Sequence, residues 1–220
     1  MNILSVENVG YRYKNSSRMA LDGVSCRFES GKLTAITGPS GSGKSTLLSI
    51  LAGLDTPTVG GVYLDEVSLQ QKDLDRYRRE EIAMIFQAFQ LFPLLTVLEN
   101  VCYPMELNGM KSKDAKVRAA ALLESVGIRV EKHKRYPSHL SGGEQQRVAI
   151  ARSLASGAKV LLADEPTGNL DVENSNRVID ILLELAHTQD YCVIVVTHDM
   201  EIAERVDITY CLRDGRLIEG

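Results

Sequence analysis

Short apolar runs recur along the chain, and each is followed at once by glycine or polar residues. The runs are Lys32–Thr37, Ile82–Phe86, Val160–Ala163 and Tyr191–Val196. Because strands of a parallel sheet are covered on both faces, they read as continuous apolar segments. The pattern predicts an α/β fold in which these runs, Ile82–Phe86 included, are core strands. Ligands are then expected at the carboxyl ends of the strands.

Apolar residues at three-to-four spacing predict the helices. One helix, Thr46–Ala52, follows the strand Lys32–Thr37 after a glycine-rich loop. Three more follow one another without an intervening strand signal: Thr96–Leu107, Ala115–Val126 and Gly143–Leu154. We therefore predict an inserted α-helical subdomain over residues 88–155.

The remaining short strands are predicted at the two ends of the chain. Residues 2–7 and 22–29, on either side of a polar turn at residues 14–17, favour an antiparallel β flap, and another strand begins at Val62. A charged stretch at residues 72–81 with helical spacing is interpreted as a solvated face. The last two strands, Thr209–Arg213 and Arg216–Ile218, are joined by Asp214-Gly215, a strong hairpin signal.

Composition narrows the class of protein. With 220 residues and 44% apolar content, the chain suits one α/β domain with an insertion. Its apolar runs fall far short of the roughly 18 residues of a membrane span, and no export signal precedes the first strand. A net charge of −4 makes nucleic acid an unexpected partner, and the four cysteines lack metal-knuckle spacing. These features predict a cytosolic protein.

A glycine-rich segment between the strand Lys32–Thr37 and the helix Thr46–Ala52 carries the most specific chemistry. It fits the pattern G-x-x-x-x-G-K-[ST], whose backbone N–H groups cradle phosphates at a helix N-terminus. Its lysine would reach the outer phosphates and its serine would bind Mg²⁺. The predicted nucleotide-binding residues are Gly38, Pro39, Ser40, Gly41, Ser42, Gly43, Lys44, Ser45 and Thr46. A flexible Gly/Ser linker is the alternative, but linkers lack such flanks.

Polar residues at the ends of the other strands extend this site. Gln87 would bind Mg²⁺ and hold the attacking water. Asp164 would bind Mg²⁺, while Glu165 would act as general base toward the γ-phosphate. His198 would hydrogen-bond a γ-phosphate oxygen. For each residue an ordinary surface or turn role remains the alternative.

Two further segments are ambiguous from their residues alone. In Tyr11-Arg12-Tyr13, one ring would stack on an adenine, or both would simply pack on the sheet. The run from Ser141 to Arg147 begins a helix with two glycines, which cost helix propensity of about 1 kcal/mol each. Close approach of an anion would explain the glycines. An ordinary serine cap is the alternative.

Together these segments resemble the ATP-binding subunit of ATP-binding cassette (ABC) transporters over essentially the whole chain. The phosphate loop matches, and Gln87 falls where that family has its Q-loop. Leu140-Ser-Gly-Gly-Glu144 resembles the signature motif, Asp164-Glu165 the end of the Walker B strand, and His198 the switch histidine. Asp171 fills the D-loop, and Tyr13 best fits the adenine-stacking aromatic.

The resemblance implies a P-loop NTPase (RecA-like) core, comprising residues 1–87 and 156–220, within a single ABC ATPase domain. It implies hydrolysis of ATP with Mg²⁺ by a head-to-tail homodimer, in which the signature residues act in trans. Those residues are Ser141, Gly142, Gly143 and Glu144. Ser45, Gln87 and Asp164 are the implied metal ligands.

The resemblance also implies an integral membrane permease as partner, contacted near Gln87–Glu99, and a peripheral location on the cytoplasmic face of the membrane. Within the family the chain looks most like the lipoprotein-releasing, macrolide-exporting (MacB-like) and cell-division ATPases. Alternatives are a soluble ABC ATPase uncoupled from transport, the ATPase of an amino-acid or other importer, and a phosphotransferase that uses a phosphate loop. A phosphotransferase would explain neither the signature motif nor the glutamate after Asp164.

Overall fold

The structure is a computed structural model that describes residues 3–14 and 16–218. Asn2, in the first predicted strand, and Asn15, in the predicted turn after it, lie outside the described residues. The strands are β1 Ile3–Tyr11, β2 Leu21–Glu29, β3 Lys32–Thr37, β4 Val59–Leu64, β5 Val67–Ser68, β6 Ile82–Phe86, β7 Val160–Asp164, β8 Cys192–Val196, β9 Ile208–Arg213 and β10 Arg216–Ile218. The helices are α1 Lys44–Leu51, α2 Leu74–Arg76, α3 Val97–Leu107, α4 Ser112–Ser125, α5 Gly142–Ala155, α6 Val172–Gln189 and α7 Met200–Ala203.

A six-stranded sheet with the order β10-β9-β3-β8-β7-β6 forms the centre of the molecule. Its strands are parallel except for β10, which closes a hairpin with β9. Apolar side chains of β7 and β8 are fully buried because the sheet is covered on both faces, which gives two hydrophobic clusters. The mainly parallel sheet is therefore confirmed.

Strand β6 corrects one prediction, because it lies at the edge of the sheet and, among the strands that the structure describes, pairs with β7 alone. Three of its five residues are half-buried, whereas Ile82 and Ile85 are fully covered. A short apolar run indicates burial but does not distinguish a central strand from an edge strand. The predicted position of Gln87, directly after this strand, is unaffected.

The predicted flap is a four-stranded antiparallel sheet with the order β2-β1-β4-β5. Strand β1 runs on to Tyr11, four residues beyond the predicted 2–7, with register irregularities after Val6 and after Val9. The flap is therefore larger than the sequence pattern indicated. It places Tyr13, just after β1, beside helix α1, since the Tyr13 hydroxyl lies 2.8 Å from Thr46 Oγ1.

The three helices predicted in the insertion are present as α3, α4 and α5, and each packs against the other two. Helix α3 begins with a capping box, in which Thr96 and Glu99 each satisfy a backbone N–H of the other. The exact boundaries of a separate subdomain, at residues 88–155, stay a prediction. None of the described helices is long and apolar enough to cross a bilayer.

Two stretches differ from the sequence interpretation. The sequence analysis predicted no helix over α6, although Val178, Ile179, Leu182 and Leu185 supply a buried face with helical spacing. Residues 72–81 are not simply a solvated helix. Helix α2 is one turn, a wider turn follows, and Tyr77 is fully buried with its hydroxyl donating to Leu51 O at 2.7 Å.

Candidate nucleotide-binding site

The segment between β3 and α1 leads into a helix N-terminus that no side chain caps. Gly43 is the N-cap of α1 with a φ of 106°. A Cβ at Gly43 would lie 2.5 Å from Ala20 O, so both space and backbone angle require glycine. Because the first N–H groups of a helix have no acceptor within it, this end can receive an anion.

Lys44 brings a positive charge to the same loop. Its Nζ donates to Gly38 O at 2.8 Å and to Pro39 O at 2.9 Å, and the side chain is buried. The backbone carbonyls thus hold the ammonium at the centre of the loop. An ammonium fixed in this way is a point charge for the outer phosphates of a nucleotide.

One cavity of about 650 Å³ joins the phosphate loop to three distant segments of the chain. It is lined by Tyr13, Ala20, Ser40, Gly41, Gly43, Lys44, Ser45, Thr46, Glu165 and His198. The carboxyl ends of β3, β7 and β8 meet here because these strands are parallel neighbours. The structure therefore brings the predicted loop, carboxylate, histidine and aromatic residue together.

Glu165 and His198 contact each other across the cavity. His198 Nδ1 lies 3.1 Å from Glu165 Oε1, and Glu165 N donates to Val196 O at 2.9 Å. Glu165 has a φ of 44°, in the left-handed region that non-glycine residues rarely adopt. Such strain is typical of functional sites, where the surroundings hold a side chain in a required direction.

Asp164 and Gln87 lie beside this cavity without lining it. Burial raises the pKa of Asp164, the charge of Glu165 raises it further, and Lys44 opposes both. The ionised carboxylate therefore favours a nearby cation. Gln87 is close to Glu165, because a Cβ built on Gly168 would contact the side chains of both. A hydroxyl, a carboxylate and an amide oxygen are the hard donors that suit Mg²⁺.

Tyr13 lies at the mouth of the cavity and is 49% exposed. Besides contacting Thr46, its ring meets Tyr11 edge-on, with centroids 5.0 Å apart. Tyr11 is held in turn by a hydrogen bond from its hydroxyl to Asp55 Oδ1 at 3.1 Å. Of the two tyrosines, Tyr13 is therefore the one with a ring available to a ligand in the cavity.

The signature residues form a different helix end and, in the described part of the chain, do not line the cavity. Ser141 is the N-cap of α5, and its Oγ accepts from Glu144 N at 3.3 Å. Glu144 completes a capping box by accepting from Ser141 N at 3.1 Å, and it forms an ion pair with Lys132. The serine cap that the sequence left as an alternative is therefore present.

The close approach inferred at the signature glycines is present at one of them, Gly143, but the approaching group belongs to this chain. A Cβ at Gly143 would overlap the Oδ1 and Cγ atoms of Asn174. Asp171 is the N-cap of α6 and accepts from Asn174 N at 2.8 Å. The sequence analysis named Asp171 but missed Asn174, which no local pattern distinguishes from a surface residue.

Residues that hold the segment after Gln87 were missed as well. Asn100 is fully buried and bonds the backbone of Phe92, Leu95 and Thr96. Arg152 of α5 donates to the carbonyls of Phe89 and Gln90. The sequence signal for this contact was an asparagine, Asn100, within a helical pattern of apolar residues, because a buried asparagine needs hydrogen-bond partners nearby.

A mainly parallel sheet with a lysine-bearing glycine loop and two adjacent carboxylates at the end of a neighbouring strand, β7, defines a phosphate-loop nucleoside triphosphatase. Comparison with known proteins refines this class. The family described as "ABC transporter" matches residues 21–168. The chain belongs to this family, as an ATP-binding subunit that hydrolyses ATP.

Similar proteins include the lipoprotein-releasing system ATP-binding protein LolD of Legionella pneumophila (strain Paris). It is 46% identical over 201 residues, which cover 90% of this chain and 88% of that protein. The uncharacterised ABC transporter ATP-binding protein YclH of Bacillus subtilis (strain 168) is 40% identical, covering 98% of this chain and 95% of that one. The resemblance to the lipoprotein-releasing group is thus confirmed.

Solved structures agree with the fold. The dimeric structure of MJ0796, a bacterial ABC transporter cassette, superposes with a TM-score of 0.89 at 38% identity, covering 98% of this chain and 97% of that one. A post-hydrolysis dimer of the same cassette, bound to ADP and Pi, gives a TM-score of 0.88. The P-loop ATPase fold predicted from the sequence is therefore confirmed.

Proposed function

We propose that two copies of this chain close around two ATP molecules and that this closure drives a membrane partner. The cavity that joins the phosphate loop to Glu165, His198 and Tyr13 is the observation that carries the proposal. The signature residues are absent from its lining, so a second copy is the natural source of the remaining contacts. The solved dimers of a similar cassette support this arrangement.

Each residue of the cavity receives a role. The loop amides and Lys44 bind the phosphates, and Tyr13 stacks on the adenine. Glu165 takes a proton from the water that attacks the γ-phosphate, and His198, 3.1 Å away, orients its carboxylate and the phosphate. Proton transfer by a positioned carboxylate is worth about 10²–10⁴ in rate.

Ser45, Gln87 and Asp164 would hold Mg²⁺ at the strand ends. When bound, the ion neutralises charge on the phosphates. Asp164 is the residue that most favours it, because burial and Glu165 both destabilise its ionised form. The role of Gln87 is supported by its position near Glu165, since a Cβ built on Gly168 would lie 2.8 Å from Gln87 Nε2 and 3.4 Å from Glu165 Oε2.

The amides of Gly142 and Gly143, together with Ser141, would complete the site of the other copy. The first N–H groups of a helix have no acceptor within the helix, and at the start of α5 the Ser141 hydroxyl caps the N–H of Glu144. A phosphate delivered by a partner copy would find these amides and the N-terminal end of the α5 dipole. Asp171 would lie at the same junction.

Complementation tests whether the two sites are shared. Lys44→Ala disables the phosphate loop of its chain, and Ser141→Ala disables the signature of its chain. A dimer of either variant alone should therefore lose turnover. In a mixed dimer one of the two sites keeps an intact loop and an intact signature. We expect ATPase activity to recover in an equimolar mixture, measured by phosphate release. A mixture as inactive as its components would point to a self-contained site in each chain.

We propose that the membrane partner is an integral permease-type subunit that docks beside β6 and holds this chain at the cytoplasmic face of the membrane. An apolar groove of about 430 Å³ lies there, with Leu54, Phe92 and Tyr103 in its lining. Leu94, two residues from Phe92, is 87% exposed. This position matches the contact expected near Gln87–Glu99, and the relative LolD is named for a lipoprotein-releasing system.

A charge placed on this surface tests the docking site. Leu94→Asp should abolish co-purification with membrane proteins from the native host while leaving ATP binding intact. Val117→Asp is the matched control, because Val117 is also exposed, at 70%, but lies on α4. Equal retention of both variants on membranes would contradict the proposed docking surface.

A further inference from the structure

Asn174, in the first turn of α6, bridges the D-loop residue Asp171 and the signature helix α5. Its Nδ2 donates to Asp171 Oδ1 at 3.0 Å and to Oδ2 at 2.9 Å. Its Oδ1 accepts from an Nη1 atom of Arg147, on α5, at 3.2 Å. One side chain thus uses both ends of its amide to connect the start of α6 with α5, and the residues Arg147 and Asn174 are 27 positions apart in the chain.

Gly143 is buried directly against this side chain. A Cβ added to Gly143 would overlap Asn174 Oδ1 and Cγ and would lie 2.8 Å from its Cβ. The neighbouring Gly142 differs, because a Cβ there would meet only ordinary contacts at 3.6–3.9 Å. The two signature glycines are therefore not equivalent: Asn174 requires a glycine at position 143, but the packing accepts alanine at position 142.

We propose that Asn174 is a positioning residue that fixes the Gly143 amide and the Asp171 carboxylate as one unit presented to the second copy. This inference rests on the proposed function, because both groups are assigned to the trans half of the site. Without the bridge, the end of α5 and the cap of α6 would lose a shared partner. Both would then have to be ordered when the dimer closes, which weakens closure.

A thermal double-mutant cycle tests the steric part without nucleotide. Gly143→Ala should lower the midpoint of unfolding by about 2–12 °C, as overpacking in a closed interior does. In an Asn174→Gly background the same substitution should cost less than about half as much, because all three atoms that the new Cβ would meet within 3 Å are gone. Gly142→Ala is the matched control, and its effect on the midpoint of unfolding should be the same in both backgrounds. If Gly143→Ala costs the same in both backgrounds, Asn174 is not what excludes a side chain there.

A charge variant tests positioning. Asn174→Asp keeps the size of the side chain and the acceptor for Arg147, but it turns a carboxylate oxygen toward Asp171. Binding of a fluorescent ATP analogue to its own phosphate loop should stay within about twofold, since that loop is elsewhere. The dissociation constant of the ATP-bound dimer, measured in a Glu165→Gln background, should rise about tenfold.

Glu173→Gln, in the same turn of α6, is the control, since the Glu173 carboxylate pairs with Arg177 across an exposed helix face. Unchanged dimerisation of the Asn174→Asp variant would overturn the positioning role. Failure of the Glu165→Gln protein itself to dimerise with ATP would instead count against the proposed function. The thermal cycle would still decide whether Asn174 sets the spacing at Gly143.

Discussion

The molecule contains two glycine-rich helix N-termini, and they are built in opposite ways. Helix α1 begins at Gly43 without a side-chain cap and without an acidic residue in its first turn. Helix α5 begins at Ser141 with a capping box that uses Glu144. The N-terminus of α1 leaves its backbone N–H donors for a ligand, whereas side chains already accept from some of the N–H groups at the N-terminus of α5.

The N-termini of α1 and α5 also differ in charge. Lys44 adds a cation to the open end, where two carbonyls hold it. At the capped end the carboxylate of Glu144 would repel an anion, and its pairing with Lys132 offsets that repulsion. The start of α1 can therefore bind phosphate alone, while the start of α5 suits a supplementary contact to a phosphate held elsewhere. This difference is the physical reason to expect a site divided between two copies.

The largest expected effect concerns the chemical step and changes neither helix N-terminus. Glu165→Gln removes the proposed base but no phosphate contact, so turnover should fall about 10²–10⁴-fold. ATP binding should persist, and an ATP-bound dimer should accumulate, because closure no longer ends in hydrolysis. Phosphate release and size-exclusion chromatography with ATP measure the two outcomes. Turnover like that of the unmodified protein would remove Glu165 from the mechanism.

Lys44→Ala and Ser141→Ala test the comparison directly. Loss of the ammonium removes a charge-assisted contact, so affinity for ATP should fall about 10–100-fold. Loss of the serine hydroxyl should leave the affinity of the isolated chain within about twofold, because that end alone does not bind the nucleotide. Titration of a fluorescent ATP analogue at protein concentrations that disfavour dimers gives both values. Equal losses would mean that the two ends share one site within a chain.

The open end was predictable from sequence because its parts are contiguous: a strand, a glycine loop and a helix follow one another at residues 32–52. The contact between Glu165 and His198 was predictable only through the rule that parallel strands end at the same edge. The contact of Asn174 with Gly143 was not predictable, because it depends on how α6 packs against α5. The edge position of β6 was not predictable for a related reason, since the local pattern of residues does not determine the order of strands in a sheet.

Tyr13 tests whether the open end also binds the base. Tyr13→Ala should weaken ATP binding about 2–12-fold, the equivalent of a stacking contact of about 0.5–1.5 kcal/mol. Tyr13→Phe should bind ATP within about twofold of the unmodified chain, because the ring remains and only the contact with Thr46 is lost. Tyr11→Ala is a less direct control, since Tyr11 supports the ring of Tyr13 edge-on. If phenylalanine is as harmful as alanine, the hydroxyl and not the ring is what matters.

The smallest effect concerns the capped end and depends on pH. Burial would raise the pKa of Glu144, but the hydrogen bonds from Lys132 and from Ser141 N–H outweigh it and lower the pKa. A lowered pKa means that the carboxylate stabilises the fold above its unfolded value of about 4.3, and that this stabilisation is lost as the pH falls through the lower folded value.

Glu144→Gln should therefore cost about 0.5–1 kcal/mol at about pH 7, or about 1–4 °C in the unfolding midpoint. The difference between the two proteins should shrink once the pH drops below about 4, because the native carboxylate then carries a proton as well. Urea titrations across this range measure the difference, with Glu173→Gln as a control whose exposed carboxylate forms an ion pair with Arg177. A difference that is constant with pH would show that the cap acts through shape alone, and the electrostatic half of the contrast with α1 would then be lost.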